Sequence, residues 1–175
     1  MGDVLLDFMH SIYRQSSGMF FTHPNICRFV CKAVGVKDVK SPKIIDTSCG
    51  SGAFLVEASK ENPSAMIVGI DNNTLATKMC KINMAIHRKS ANIYTENALA
   101  PLENLPFLNK DKVQKINGST FQTIKEEVGF DFILSNPPFS VEIAKLEYKD
   151  IYRTIDFVSS KSNTTTASEC LFAER

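Results

Sequence analysis

The sequence predicts an α/β domain in which short buried strands alternate with amphipathic helices along one parallel sheet, and three observations carry that expectation. Apolar runs of strand length stand at residues 43–46, 66–71, 93–94 and 131–134, and helical periodicity fills the stretches between the first three. A small-residue turn, Thr47-Ser48-Cys49-Gly50-Ser51-Gly52, joins the first run to a helix start. Its glycines let the backbone approach a ligand and bend into the helix, whose first N–H groups face the same spot. Asp71 ends the second run nineteen residues past Gly52, the spacing at which the carboxylate of a βαβ unit meets the ribose hydroxyls of a nucleoside. A tight turn without a ligand, and an Asp71 that caps the next helix, are the competing readings of these last two features.

Composition narrows the class. The 175 residues, 43% of them hydrophobic, suit one domain with a sizeable core. A net charge of +1 leaves no cationic footprint, so a nucleic-acid substrate would need phosphate contacts from other chains or segments. The opening residues carry Asp3 and Asp7 where a secretory signal carries bases, and no apolar run reaches membrane-spanning length. The chain is therefore expected in the cytoplasm, with no membrane partner. Its five cysteines, Cys27, Cys31, Cys49, Cys80 and Cys170, are odd in number and have no histidine in ligand spacing, and they read as reduced thiols with no metal. Cys27 and Cys31 stand four apart on a predicted helix, where a place in the core competes with a shared metal.

Taken in order, Val4, Leu5, Phe8 and Ile12 give residues 3–15 one apolar helical face. The segment from Met19 to Pro24 places Pro24 at a first helical position, with Thr22 as its cap. Ile26, Phe29, Val30 and Val34 form the stripe of that helix. His23 reads as a catalytic base or as a loop residue at the helix start. Asp46 closes the first strand facing the turn, where an acid can take the ammonium of an amino-acid moiety. Leu55 stands where a dinucleotide fingerprint has its third glycine, which points away from a pyrophosphate.

The helix from Thr74 shows Leu75, Met79, Ile82 and Ile86 on one face and ends in His87-Arg88-Lys89, charges that suit its negative terminus. Asn97, past the third strand, faces an adenine edge or makes a turn. Pro101, Pro106 and Gly118 break residues 100–127, and a helix is expected there only from Phe121 to Val128. The Ser/Thr-rich run from Ser159 to Ala167 belongs to an expected mobile loop, 141–166, and residues 166–169 read as a capping box for a last helix.

The fourth run halts at Asn136-Pro137-Pro138-Phe139. Prolines cannot donate to a ladder and push the preceding residue toward extended geometry. The strand must stop there, leaving a fixed amide, fixed carbonyls and a ring. The Asn136 oxygen and the Pro137 carbonyl suit the two N–H groups of an exocyclic amine while Phe139 stacks on a flat base. A turn with a capping Asn is the plain alternative.

Together these motifs resemble the methyltransferase (modification) subunit of type I restriction-modification systems, the N6-adenine DNA methyltransferases. The marks are Phe20-Phe21-Thr22, the loop from Asp46 to Leu55, and Asn136-Pro137-Pro138-Phe139. The resemblance runs from Gly18 to Arg175. It implies a Rossmann-like S-adenosylmethionine-dependent methyltransferase fold with strands in the order three, two, one, four. It implies S-adenosylmethionine as cofactor, with Phe21, Thr22 and Asp46 near its methionine part, Cys49, Gly50 and Gly52 beneath it, Asp71 on the ribose and Asn97 near the adenine. Asn136, Pro137, Pro138 and Phe139 become the catalytic set. The implied reaction is site-specific methyl transfer to N6 of a flipped adenine in double-stranded DNA, with separate specificity and restriction subunits as partners.

The chain departs from the family pattern at His23 and Thr47, where the family has Pro, and at Asn97, where it has an acid. The family also has a helical domain ahead of the aromatic segment and further strands after the last helix here. The chain is accordingly expected as a truncated, partial catalytic domain over 1–175, incomplete at the C-terminus, with its cofactor and catalytic core at 18–140. On that strand order Phe132, Ile133 and Leu134 form an edge open to self-association. Two other functions fit the same residues: methylation of a protein glutamine amide, which needs the same two acceptors, and a cofactor-binding fragment or inactive partner within a larger complex.

Overall fold

The computed structural model describes residues 22–108, 113–115, 122–124, 129–139, 141–148, 151–152 and 165–174. The helix expected at 3–15 and the aromatic residues Phe20 and Phe21 lie outside these. Two compact units are present, one comprising the chain through Glu96 with Phe130–Asn136, the other Asn97–Gly129 with Pro137–Arg175.

The first unit is a four-stranded parallel sheet with helices between its strands. Its elements are α1 (Pro24–Ala33), β1 (Lys43–Asp46), α2 (Ala53–Glu61), β2 (Met66–Asp71), α3 (Thr74–Ile86), β3 (Asn92–Thr95) and β6 (Phe132–Ile133). The order is β3-β2-β1-β6, as the resemblance implies. β1 pairs in parallel with β2 on one side, Ile45 opposite Val68, and with β6 on the other, Ile45 opposite Ile133. Strand order therefore reverses at β1, and in open α/β sheets the crevice at the carboxyl ends beside such a reversal is where ligands bind. The regular part of β6 is only two residues. Asp131 N donates to Lys43 O (2.8 Å), Asp131 Oδ2 accepts from Lys43 N (2.7 Å) and Leu134 N donates to Ile45 O (2.9 Å), so pairing reaches almost to Asn136. Among the described residues β6 is the last strand on its side of the sheet; Ile133 on it is 62% exposed, while Leu134 just past it is buried.

One core joins the helices to the sheet through Ile44, Leu55, Val56, Ile67, Met84, Ile93 and Leu134. The buried faces of two helices differ from the periodicity reading. On α1 the core side is Cys27 and Cys31, both fully buried, while Ile26, Phe29 and Val34 are exposed and Val30 is partly buried. The helix is turned this way as Arg28 Nε donates to Glu57 Oε2 of α2 at 2.9 Å. Burial alone would raise the Glu57 carboxyl, but the hydrogen bonds from Arg28 and Lys60 outweigh it and hold the group below its usual range. On α3 the core side is Ala76, Thr77, Met79, Cys80, Asn83 and Met84, and the expected Leu75, Ile82 and Ile86 are exposed. Small residues on that side let α3 approach the turn after β1, where Asn83 Nδ2 donates to Ser51 O at 3.0 Å. Capping also differs: His23 rather than Thr22 caps α1, its Nδ1 accepting from Asn25 N, and Asn73 rather than Asp71 caps α3, its Oδ1 accepting from Leu75 and Ala76 N–H.

The second unit holds two antiparallel pairs, β4 (Val113–Lys115) with β5 (Gln122–Ile124), and β7 (Glu142–Ala144) with β8 (Thr165–Ala167), besides α4 (Lys145–Tyr148) and α5 (Ser168–Glu174). The helix expected at Phe121–Val128 is replaced over Gln122–Ile124 by strand, as the ladder with β4 overrides local helical periodicity. β7 and α4 likewise stand inside 141–166, the stretch expected as a loop, and β8 begins in it. Thr166 is a strand residue rather than the cap of the last helix. The start of α5 is instead tied by Ser168, whose N–H donates to Val141 O (2.9 Å) and whose hydroxyl donates to Pro138 O (2.8 Å). Leu99, Tyr148, Tyr152 and Leu171 form this unit's main cluster.

Gly52 shows how closely the turn and α3 fit. It has a φ of +84°, and a Cβ there would stand 2.6 Å from Cys80 Sγ. Gly52→Ala is expected to destabilise the protein by roughly 2 kcal/mol or more, combining left-handed strain with overpacking. Urea unfolding measures this, and an unchanged midpoint would contradict the packing role.

Candidate functional site

At the carboxyl ends of β1 and β6 the first unit opens a small cleft lined by Thr22, Asp46, Ser48, Cys49, Gly50, Ser51, Ala53, Phe54 and Asn136. Five residues singled out from sequence, Thr22, Asp46, Cys49, Gly50 and Asn136, converge there although they span more than a hundred positions. The lining is polar at the β1 end, and the Phe54 ring beside it is mostly buried.

Asp46 is the chemical centre of the cleft. It is 2% exposed, and its Oδ1 accepts from Ser135 Oγ at 2.7 Å and from Ser48 N at 3.0 Å. Burial pushes its carboxyl up to about 7, with the Asp71 charge adding to the rise and the Ser135 and Ser48 hydrogen bonds opposing it. At about 1.4 kcal/mol per pH unit, displacement from the ordinary 3.8 to about 7 makes the ionised form cost on the order of 4 kcal/mol of folding stability. The cost is absent below pH 3.8, where both states are protonated, and grows to its full size above about pH 7. A cationic ligand beside Asp46 would offset it.

The turn is held from β2. Asp71 Oδ2 accepts from Gly50 N (2.9 Å) and Oδ1 from Asn73 N (2.9 Å), so this carboxylate shapes the loop beneath the cleft as well as ending its strand. Gly50 has a φ of +51°, the conformation that aims its N–H at Asp71. Gly52 lies next to the cleft but serves the approach of α3. Asn136 Nδ2 donates to Thr22 Oγ1 at 3.0 Å, which orients the amide and leaves its oxygen outside that bond.

Other predicted residues are not among those lining the cleft. Asn97 belongs to the second unit, where its Oδ1 accepts from Leu99 N and its Nδ2 donates to Tyr148 Oη, both at 2.9 Å; it makes a turn. Pro137, Pro138 and Phe139 also fall in the second unit, with Phe139 55% exposed. Phe21 is outside the described residues. His23 is a helix cap. Cys27 and Cys31 are buried thiols raised by burial to about 12, and among the described residues no group of His, Cys, Asp and Glu could hold a metal. No described helix is long and apolar enough to cross a membrane. Sequence reading missed Ser48, Ser51, Ala53 and Phe54 as lining residues and Ser135 as the partner of Asp46; the small-residue composition of the turn was the available signal for the first three.

The family model for N-6 DNA methylase matches residues 2–172. The chain belongs to the N-6 DNA methylase family. It is 30% identical over 149 residues to the type I restriction enzyme MpnII methylase subunit of Mycoplasma pneumoniae, covering 79% of this chain and 25% of that one. It is also 30% identical over 116 residues to a release factor glutamine methyltransferase of Fusobacterium nucleatum, covering 66% of this chain and 26% of that one. The chain thus spans about a quarter of the length of these curated relatives. Its fold is similar to a structure assigned to a modification subunit of a type I restriction enzyme from Vibrio vulnificus, with a TM-score of 0.63, 19% identity and coverage of 98% of this chain and 33% of that one. It is equally similar, at a TM-score of 0.63 and 14% identity, to a structure assigned to the class I S-adenosylmethionine-dependent methyltransferases from Listeria monocytogenes, covering 95% of this chain and 46% of that one. The fold is the Rossmann-like fold of the S-adenosylmethionine-dependent methyltransferases.

The Asp46 environment has a measurable signature. Asp46→Asn keeps the volume and the acceptor for Ser135 and Ser48 but removes the titration. Its stability relative to the parent is expected to improve as pH rises from 5 to 8, by on the order of 2–3 kcal/mol, in paired urea unfolding curves. A constant difference between the two proteins across that range would contradict the burial penalty.

Proposed function

We propose that this chain carries the cofactor and catalytic centre of a site-specific DNA methyltransferase that transfers a methyl group from S-adenosylmethionine to N6 of adenine. The observation that carries the reading is the convergence of Asp46, Gly50 and Asn136 on one cleft. The donor set fits the amino-acid end of S-adenosylmethionine: a buried carboxylate whose ionisation costs stability suits an ammonium, and the small residues of the turn let backbone come near. When bound, the cofactor supplies an electrophilic methyl group on a sulfonium. Asp46 and Thr22 hold its methionine part in this reading, with Phe21 preceding Thr22 in the chain, Cys49, Gly50 and Gly52 form the turn beneath it, and Asp71 takes the ribose.

Asn136 acts on the target. Its amide oxygen accepts an N–H of the exocyclic amine, the carbonyl of Pro137 takes the second, Pro138 stiffens the segment and Phe139 stacks on the extruded base. These acceptors draw the nitrogen lone pair away from the ring, and the remaining task is positioning for in-line transfer without a covalent enzyme intermediate. Thr22 keeps the Asn136 amide in the orientation this requires, by accepting from its nitrogen. A net charge of +1 fits a chain that meets duplex DNA together with specificity and restriction subunits, which provide the phosphate contacts.

A second reading is favoured by one finding, the 30% identity to a release factor glutamine methyltransferase. A glutamine amide nitrogen poses the same problem as an adenine amine and needs the same two acceptors. The N6-adenine reading rests on the family match over nearly the whole chain and on Phe139, which a planar base can use.

In the assembled enzyme, Asn136→Ala should lower methyl transfer by on the order of 10²–10³ while S-adenosylmethionine binding stays within a few-fold of the parent. Tritiated-methyl transfer to an adenine-containing duplex and to a glutamine-bearing peptide reads this out. Label on the peptide alone, or full turnover by the variant, would overturn the reading.

A further inference from the structure

Ser135 immediately precedes the catalytic segment, yet its hydroxyl is spent on the cofactor side of the cleft. It donates to Asp46 Oδ1 at 2.7 Å, lies 2.7 Å from Ser48 Oγ and receives Thr47 Oγ1 at 3.3 Å. A serine has one hydrogen. With that hydrogen on Asp46, the short contact with Ser48 must be donated by Ser48, so two hydroxyls of the turn point into Ser135 and Ser135 points into the carboxylate. Donors lined up in this way polarise one another and strengthen the last bond of the chain. The residues come from the end of β1, the turn after it and the end of β6, which are 87 to 89 positions apart in sequence.

We infer that Ser135 is a positioning residue of the cofactor cleft: its hydroxyl holds the Asp46 carboxylate in the ionised, cation-accepting state and ties that carboxylate to the strand that delivers Asn136. The inference rests on the reading of the cleft as the S-adenosylmethionine site and adds a residue whose side chain need not touch the cofactor. The titratable groups that face Asp46 are Asp71 from the end of β2, Cys27 from α1 and Cys49 from the turn. The hydrogen bond with Cys80 and burial push the Cys49 thiol up, and burial pushes Cys27 up, so both stay neutral near pH 7 and Asp71 adds only negative charge. Among the described residues no cation is positioned to favour the ionised carboxylate, and the hydroxyl of Ser135 with the N–H of Ser48 must do it.

In this arrangement a ligand ammonium binds ionised Asp46, so affinity rises with pH up to ten-fold per unit below the Asp46 midpoint and levels above it, until the ligand's own amine deprotonates near pH 8. Removing the Ser135 donor raises the midpoint and moves the rising limb to higher pH.

The test uses the 175-residue chain, its Ser135→Ala variant and its Ser135→Thr variant. The Asp46 midpoint is read by carbon NMR of labelled aspartate carboxyls without ligand, and S-adenosylmethionine affinity by calorimetry between pH 6 and 8. The expected result is an upward move of the midpoint by about one pH unit in Ser135→Ala, equal to about five-fold weaker binding at pH 7 and close to ten-fold at pH 6, with both restored in Ser135→Thr. An unmoved midpoint, a loss of affinity equal at every pH, or no recovery in Ser135→Thr would overturn the inference. A moved midpoint in a chain that takes up no S-adenosylmethionine would uphold the role of Ser135 and overturn the cofactor reading instead.

Discussion

The carboxylate of Asp46 is the constraint around which the first unit is arranged. It stands at the end of the central strand, where strand order reverses, and is almost wholly removed from water. Leaving such a group without partners would cost several kcal/mol, and its two donors come from two separate segments, the turn after β1 and the end of β6. The pairing of β6 with β1 and the hydrogen bond from Ser135 therefore support each other. With β6 in place, Asn136 arrives at the cleft as a matter of chain connection, and Thr22 fixes its amide from the other side.

Structure and chemistry pull against each other at this point. A protein selected only for stability would place an apolar residue or an asparagine at the end of β1. An acid that is raised by burial and further opposed by Asp71 is a cost retained at the place where the fold gathers its ligand-facing backbone. A cationic ligand group reverses the sign of that cost, which links folding stability to occupancy of the cleft. Asp71 carries the opposite burden: its two oxygens receive backbone N–H groups from the turn and from the start of α3, so it shapes the site while remaining near the surface.

Much of the first unit was legible in the sequence because local and global signals agree there. The strands at 43–46, 66–71 and 92–95 are short β-branched runs, and their glycine turn and terminal acids announce a βαβ unit. Helix facing was not legible on α1 and α3. Hydrophobicity favoured Ile26, Phe29, Leu75 and Ile82, whereas close approach to α2 and to the turn required cysteine, alanine and asparagine on the buried side. Gly52 was legible as a glycine the turn needs, but its main reason, the sulfur of Cys80, lies 28 positions away and leaves no local trace. The second unit was the least legible: β5 and β8 are three-residue strands whose existence depends on antiparallel partners, and Thr166 carries a capping signal that the ladder overrides. Ser135 was hidden for a similar reason, since a serine before Asn-Pro-Pro reads as part of a turn until the fold brings it to Asp46.

The most direct measurement is a crystal structure of the chain with S-adenosylhomocysteine, which keeps the amino-acid and nucleoside parts of the cofactor. The ligand ammonium is expected about 3 Å from an Asp46 oxygen, the amino-acid part against the turn at Gly50, and Asn136 at the sulfur end with its amide oxygen open to a target nitrogen. A ligand bound away from Asp46, or one that places its adenine rather than its ammonium on that carboxylate, would contradict this placement.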